Sequence, residues 1–325
     1  MPNPIPDSQV QDFHANGYVV IERFFGGAQL RAIQEEIDSL LPGWPEARQL
    51  SARLRYHQFP FGNCGSGSRR TVVADELNAA TLDPHVVDFV RRCLGSNEIL
   101  LNDSGLVGKY PRGSYDQPHH QDYTKYSLVV PDSRAGFQQL QIFIYWHDVT
   151  ADLGPTCILP DQFTEGVDGA VIPHPARPEA VAGRVVSREG CQPDLYDHEV
   201  KIIVPAGSLL AYHTGAFHRA SAFTGQAGRR VSQHLIWRVA DNYWNAGPSR
   251  GVSIVERCDE PAVVRFLEMA TPEQRALIGF PRPDSDYWCA ETVRGVQRRY
   301  PNMDMTPYLE GSAAAARAVA ADSNS

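Results

Sequence analysis

Two spacings of apolar residues run along this chain, and one gives way to the other near residue 98. Before that point helical spacing dominates. A short helix is expected over "PDSQVQDFHANG", with Asp7 or Ser8 as its cap and Gly17 ending it in the left-handed conformation. "YVVIERFF", residues 18–25, then reads as a strand. Leu30, Ile33, Ile37 and Leu41 recur at the period of one helix face, and Pro42-Gly43 stops that helix. Residues 43–70, rich in Gly, Pro, Ser and Arg, read as irregular, and residues 84–94 as a further helix.

Beyond residue 98 the segments are short and extended: "EILLNDSGLVGKY", "QQLQIFIYWHDV", "TCILP", "VKIIVP", "GSLLAYH" and "RVSQHLIWRVA". In the second of these, Leu140, Ile142, Ile144 and Trp146 share one face and Gln139, Gln141, Phe143 and Tyr145 the other. That is strand alternation with side chains to bury on both sides. Short strands without intervening helices predict a mainly β fold, a sandwich or jelly roll, with flanking α-helices. Long segments at 123–137 and 173–199 interrupt the strands, and segments of that length are usually functional covers or flexible excursions. One domain is expected over residues 1–310, with a barrel core at about 98–240 and a loop-rich, helical extension over 241–310. The low-complexity end, 311–325, is expected to be disordered.

Composition narrows the partners. A net charge of −8 over 325 residues, with only Lys109, Lys125 and Lys201 as lysines, leaves no basic face to follow a phosphate backbone, so no nucleic-acid partner is expected. The opening has no basic segment followed by an apolar run, and no run of about 18 apolar residues occurs, so neither a signal peptide nor a membrane span is expected. Cys64, Cys93, Cys157, Cys191, Cys258 and Cys289 are scattered and never form C-x-x-C, which points to reduced thiols and a cytoplasmic protein.

Candidate chemistry begins at "QPHHQDYTKY", residues 117–126. On an extended segment His120 and Asp122 point the same way and His119 points to the other side. His120 is the one histidine of eleven with an acidic residue two positions later. Two imidazoles and one carboxylate on one face of an iron ion leave the other face open, so a third ligand must come from downstream. Candidates are His147, His174, His198, His213, His218 and His234. Arg229 stands eleven residues after His218, with Arg230 beside it, and neither His213 nor His234 has an arginine at that distance. Such an arginine suits the distal carboxylate of a chelating 2-oxoacid, which a planar guanidinium can grip with two bonds.

In order along the chain, "VQDFHANGYVVIERFF", "HQD", "WHDVTADLGPTCILP", "GSLLAYHTGAFHRAS" and the arginine pair resemble the phytanoyl-CoA dioxygenase-like (PhyH) family of Fe(II)- and 2-oxoglutarate-dependent oxygenases. The resemblance covers roughly residues 8–240. It implies a double-stranded β-helix, the cupin-like jelly-roll barrel, in which His120, Asp122 and His218 bind iron and Arg229, or its neighbour Arg230, anchors 2-oxoglutarate. Gln117 and Thr156 match positions from which family members contact the same cosubstrate. Two departures stand out: Pro160-Asp161-Gln162-Phe163 replaces the family's Pro-Gly-Ser-His turn, and Leu153 replaces the Asn before Gly-Pro-Thr. Asp122 is present, which disfavours the halogenase branch, where chloride takes the carboxylate's place.

The activity implied is oxidation of an unactivated C–H bond, with hydroxylation as the default and desaturation, cyclisation or epoxidation as other outcomes. O2 is consumed, and 2-oxoglutarate becomes succinate and CO2. Tyr123, Tyr126, Trp146 and Phe217 lie near the ligands in sequence and suggest an aromatic pocket for an apolar or polycyclic molecule, as in secondary metabolism. Two rival readings are a cupin-type metalloenzyme that does not use 2-oxoglutarate and a non-catalytic binding barrel.

Overall fold

Eleven short strands form two antiparallel sheets among the described residues. The computed structural model describes residues 2–47, 53–56, 75–111, 116–122, 138–167, 170–177, 192–241, 261–285, 287–288 and 290–309. The expected cover at 123–137 and the tail at 311–325 lie outside these residues, as do most of 43–70 and the middle of 173–199.

The larger sheet is built from β1 (Tyr18–Ile21), β2 (Arg53–Tyr56), β3 (Ile99–Lys109), β5 (Gln139–Tyr145), β9 (Ser208–His213) and β11 (Arg230–Val239), in the spatial order β1-β9-β5-β11-β3-β2. The smaller contains β4 (His119–His120), β6 (Thr156–Ile158), β7 (Val171–Ile172), β8 (Val200–Lys201) and β10 (His218–Ala220), in the order β7-β4-β10-β6-β8. This is the expected jelly-roll architecture.

The alternation along β5 sorts the core into two layers. Leu140, Ile142, Ile144 and Trp146 join Leu209, Ala211, Val231, Leu235 and Trp237 on the outer face of the larger sheet. There they pack against α1 (Asp7–Asn16), α2 (Gly27–Leu40), α3 (Asp75–Thr81) and α4 (Pro84–Leu94) through Phe13, Ile33, Ile37, Leu77, Val86, Phe89 and Val90. Phe143 and Tyr145 face the other way and meet Leu210, Tyr212, Ile158 and Ile202 between the two sheets. The inner face is therefore the barrel lumen. The stripe of α2 behaves as its period predicts: Ile33, Ile37 and Leu41 are buried. Burying one such side chain contributes roughly 1.5–3 kcal/mol.

Several boundaries differ from expectation. β1 ends at Ile21, because β9 ends opposite it: Ile21 pairs with Leu209. Arg23 then takes a positive φ of 51° and Phe25 donates its N–H to the Gly207 carbonyl, so Phe24 and Phe25 are buried from a turn and not from a strand. Gly207 has φ 81°, and a Cβ there would overlap the Phe25 carbonyl, which only glycine avoids. α1 is preceded by Pro6 without a side-chain cap bond, whereas Gly17 ends it in the left-handed conformation as expected. The C-terminal helices Pro261–Met269, Pro272–Leu277 and Ala290–Arg299 gather a separate small core around Trp288, Tyr300 and Tyr308.

Candidate metal centre

β4 and β10 are neighbours in the smaller sheet, and the register sets His120 directly opposite His218. Cross-strand partners project to the same face, so both imidazoles enter the lumen, with ring centroids 4.6 Å apart. Each Nδ1 lies against a backbone carbonyl two residues earlier, His120 at 3.0 Å from Pro118 O and His218 at 3.1 Å from Ala216 O. A carbonyl can only accept, so each Nδ1 carries the proton and each Nε2 keeps its lone pair. Asp122 follows His120 by two positions, and its backbone N–H is held by Thr214 O at 2.9 Å.

The three ligand atoms converge. Asp122 Oδ1 lies 3.6 Å from His120 Nε2 and Oδ2 lies 3.2 Å from His218 Nε2. Ligands about 2.1 Å from one ion at right angles stand about 3.0 Å apart, so these separations fit a facial triad with little adjustment. All three residues are buried. The Tyr212 hydroxyl, from β9, stands 3.2 Å from His218 Nε2 and 3.4 Å from Asp122 Oδ2, closing the site from the larger sheet. The set of two imidazole lone pairs and one carboxylate fits Fe(II) with three positions left open.

Behind the ligands lies a second cluster that the sequence did not suggest. His119 turns away from the lumen, as alternation predicts, but it is buried, with Nε2 3.1 Å from Glu199 Oε2. Arg219, the neighbour of His218, makes two bonds to Glu199, at 2.7 and 2.8 Å, and one of 2.5 Å to Asp116. The strands carrying His120 and His218 are thus clamped through one carboxylate. Burial alone would push the Glu199 pKa up, but the bonds from His119 and Arg219 and the guanidinium charge hold it down at about 2. Burial lowers that of His119 to about 4, so its ring is neutral at pH 7.

The arginine pair is divided by strand alternation. Arg229 precedes β11 and turns to the helical side, where it binds the Asp38 carboxylate and the Leu41 and Pro42 carbonyls. Arg230 opens β11, is buried, and donates to the Gly154 carbonyl. It lies on the face of Ser232 and His234, opposite Val231, Leu235 and Trp237 in the outer core, and therefore in the lumen. Of the two arginines, Arg230 and not Arg229 is therefore the one on the lumen face. Lys109 is the cross-strand partner of Arg230, is also buried, and donates to the Ser221 carbonyl.

Thr156 is buried and accepts a 2.8 Å bond from the Tyr145 hydroxyl, whose pKa burial pushes up to about 12, so it remains a donor. Gln117 uses its side-chain oxygen on the Ala220 N–H at 3.2 Å and its own N–H on the Ala220 carbonyl at 2.9 Å, which ties it to β10. Two expected pocket residues are corrected. Trp146 packs against Phe25 in the outer core, with rings 5.1 Å apart, because it continues the apolar face of β5. Phe217, one residue before the inward His218, points out of the lumen and packs with Leu159 and Ile172. Tyr123 and Tyr126 lie outside the described residues. The substituted turn, Asp161–Phe163, is a 3-10 segment in which Asp161 pairs with His213 at 2.7 Å and Phe163 stacks on His198 at 4.0 Å.

A family model, Phytanoyl-CoA dioxygenase (PhyH), matches residues 13–231, about two thirds of the chain and every residue of the centre just described. The chain belongs to the PhyH family. Like the family, it is a non-haem iron oxygenase using Fe(II), 2-oxoglutarate and O2. Among solved structures the fold matches SnoK, a non-heme alpha-ketoglutarate-dependent carbocyclase from nogalamycin biosynthesis, at 18% identity and TM-score 0.50, over 74% of this chain and 88% of SnoK. HygX from Streptomyces hygroscopicus, solved with nickel, 2-oxoglutarate and hygromycin B, matches at 14% identity and TM-score 0.49, over 73% and 88%. EctD from S. alaskensis, in its apoform, matches at 18% and 0.48, over 74% and 79%. No curated protein matches the chain. Among the described residues no helix is long and apolar enough to cross a membrane.

Proposed function

We propose that this PhyH-family oxygenase hydroxylates an unactivated C–H bond of a small molecule, with His120, Asp122 and His218 as the iron ligands and Arg230 as the anchor of 2-oxoglutarate. The observation that carries the reading is the convergence of three buried ligand atoms within 4.8 Å of one another, on strands whose register faces one histidine with the other. When bound, Fe(II) would allow O2 to act as the oxidant, one oxygen atom going to the substrate and the other to succinate as 2-oxoglutarate supplies two electrons and releases CO2.

The protein's own residues do the rest. Pro118 and Ala216 carbonyls fix both ligand tautomers, and Tyr212 fills the space beside Asp122. Arg230, with Tyr145 and Thr156 beside it, offers N–H and O–H donors for the distal carboxylate of the cosubstrate. Gly154 has φ 65°, and a Cβ there would press on the Lys109 ammonium at 2.6 Å, so glycine keeps the cationic end of the lumen open. Phe143 and His234, stacked at 3.7 Å, lie between that end and the metal level and give the cosubstrate an aromatic wall.

The test is iron-dependent conversion of 2-oxoglutarate to succinate by the purified protein. Wild type and Arg229→Ala are expected to turn over, while Arg230→Ala is expected to lose at least tenfold. Equal loss in both arginine variants, or none in either, would remove Arg230 from the site.

A further inference from the structure

The lumen has a second polar end, and it is not the one that holds the cosubstrate. β5 runs from Gln139 to Tyr145, and Tyr145 marks the end where Thr156 and Arg230 gather. At the other end Gln141 stands opposite Tyr212, the tyrosine of the metal centre. Gln139 accepts from the Thr214 hydroxyl at 3.0 Å, and Thr214 is the residue whose carbonyl holds Asp122. With Arg230 on one side of the metal, Gln139 and Gln141 border it on the other.

Three groups there have unused hydrogen-bonding capacity. Gln139 and Gln141 are buried, and Gln139 Nε2 and Gln141 Oε1 have no hydrogen-bond partner among the described residues. Turning the Gln139 amide over exchanges which of its atoms faces Thr214 and leaves the other orphaned. Such orphans are rare in folded proteins because each costs about 1–3 kcal/mol. Arg238 is the cross-strand partner of Gln139 and lies on the same lumen face. It is half-buried and, among the described residues, bonds only to neutral oxygens: Asn102 Oδ1 at 3.2 Å, Val239 O at 3.2 Å and Ala240 O at 2.9 Å. No carboxylate pairs with it among the described residues, and burial lowers its pKa.

We infer that Gln139, Gln141 and Arg238 form a substrate-reading row, and that the substrate is a polar small molecule bearing an anionic group for Arg238 and a hydroxyl or amide for the two glutamines. This inference rests on the proposed function, since it takes the metal centre as the place where that substrate reacts. It replaces the aromatic lining that Trp146 and Phe217 would have supplied, because both belong to other cores. A hydroxyl can donate and accept at once and so satisfies both orphan amides, while a purely apolar ligand would leave all three groups desolvated and unanswered.

The experiment uses the full chain with Fe(II) and 2-oxoglutarate under nitrogen, read through the visible charge-transfer band of the complex. Three panels of about equal mass are added: hydroxy- and amino-carboxylates, sugar phosphates, and uncharged steroids with polycyclic ketones. A member of one anionic panel is expected to perturb the band, and which panel does so separates a carboxylate from a phosphate ligand. Arg238→Met should weaken that response at least tenfold and Arg238→Lys should restore part of it. Gln139→Leu and Gln141→Leu should weaken it too, and Gln141→Leu should do so without lowering Tm in the metal-free protein, because its buried side-chain oxygen has no hydrogen-bond partner among the described residues, whereas Gln139→Leu also takes the acceptor from the Thr214 hydroxyl. A response only to the uncharged panel, or to no panel, overturns the inference, as does a loss of more than about 5 °C in Tm in Gln141→Leu. A wild-type complex with no charge-transfer band at all would instead sink the underlying reading of the metal centre.

Discussion

Replacing Glu199 by glutamine tests how the strands behind the metal centre are held together. The carboxylate takes two bonds from Arg219 and one from His119, and its side chain is 8% exposed. Its pKa is held at about 2 against an ordinary 4.5. That drop, at about 1.36 kcal/mol for each pH step, corresponds to about 3 kcal/mol of stability at neutral pH. The sign follows from the direction of the drop: the folded form binds its proton more weakly, so the contribution is complete above pH 4.5 and is lost as pH falls from 4.5 towards 2. Glutamine keeps one acceptor for Arg219 and removes the charge. Urea unfolding of the metal-free protein at pH 7 should show the variant less stable by about 3 kcal/mol at most and by more than about 1. The gap should hold down to pH 4.5 and narrow only below it. A difference under about 0.5 kcal/mol at pH 7 would refute the reasoning, since it would place Glu199 among surface ion pairs.

Three further outcomes are expected. Arg230→Ala should weaken 2-oxoglutarate binding about 30-fold or more, corresponding to loss of a buried charge-assisted contact, while Arg229→Ala should leave it within about twofold; titration of the visible band with 2-oxoglutarate reads both. Trp146→Ala should cost about 3–5 kcal/mol in urea unfolding, as a large side chain leaves the outer core, and a cost below about 1 kcal/mol would return Trp146 to the pocket. Gly207→Ala, at φ 81° and against the Phe25 carbonyl, should cost at least about 2 kcal/mol in the same assay.

Much of the fold was legible because period two leaves little freedom. The alternation from Leu140 to Trp146 is met residue by residue in the two core layers. The same alternation already excluded Trp146 from the lumen, since it shares a face with Leu140, Ile142 and Ile144. Counting from His218 could not separate Arg229 from Arg230, because distance along a chain carries no information about faces. The apolar set Val231, Leu235 and Trp237 does carry it, and puts Arg230 inside. "YVVIERFF" read as one strand because every local signal in it is extended, yet the partner strand β9 begins only at Ser208 and reaches no further along it. The Glu199 clamp was not legible: His119 and Glu199 are 80 residues apart, and only the packed sheets bring them together.

The central claim is that His120, Asp122 and His218 hold one iron to which 2-oxoglutarate adds. Anaerobic titration of the metal-free protein with Fe(II), in the presence of 2-oxoglutarate, measures it most directly. One Fe(II) per chain should bind and the visible charge-transfer band should appear with it. The band should be lost in each of His120→Ala, Asp122→Ala and His218→Ala, while Arg229→Ala keeps it. A wild-type protein that shows no band, or a band that survives all three ligand substitutions, would contradict the account.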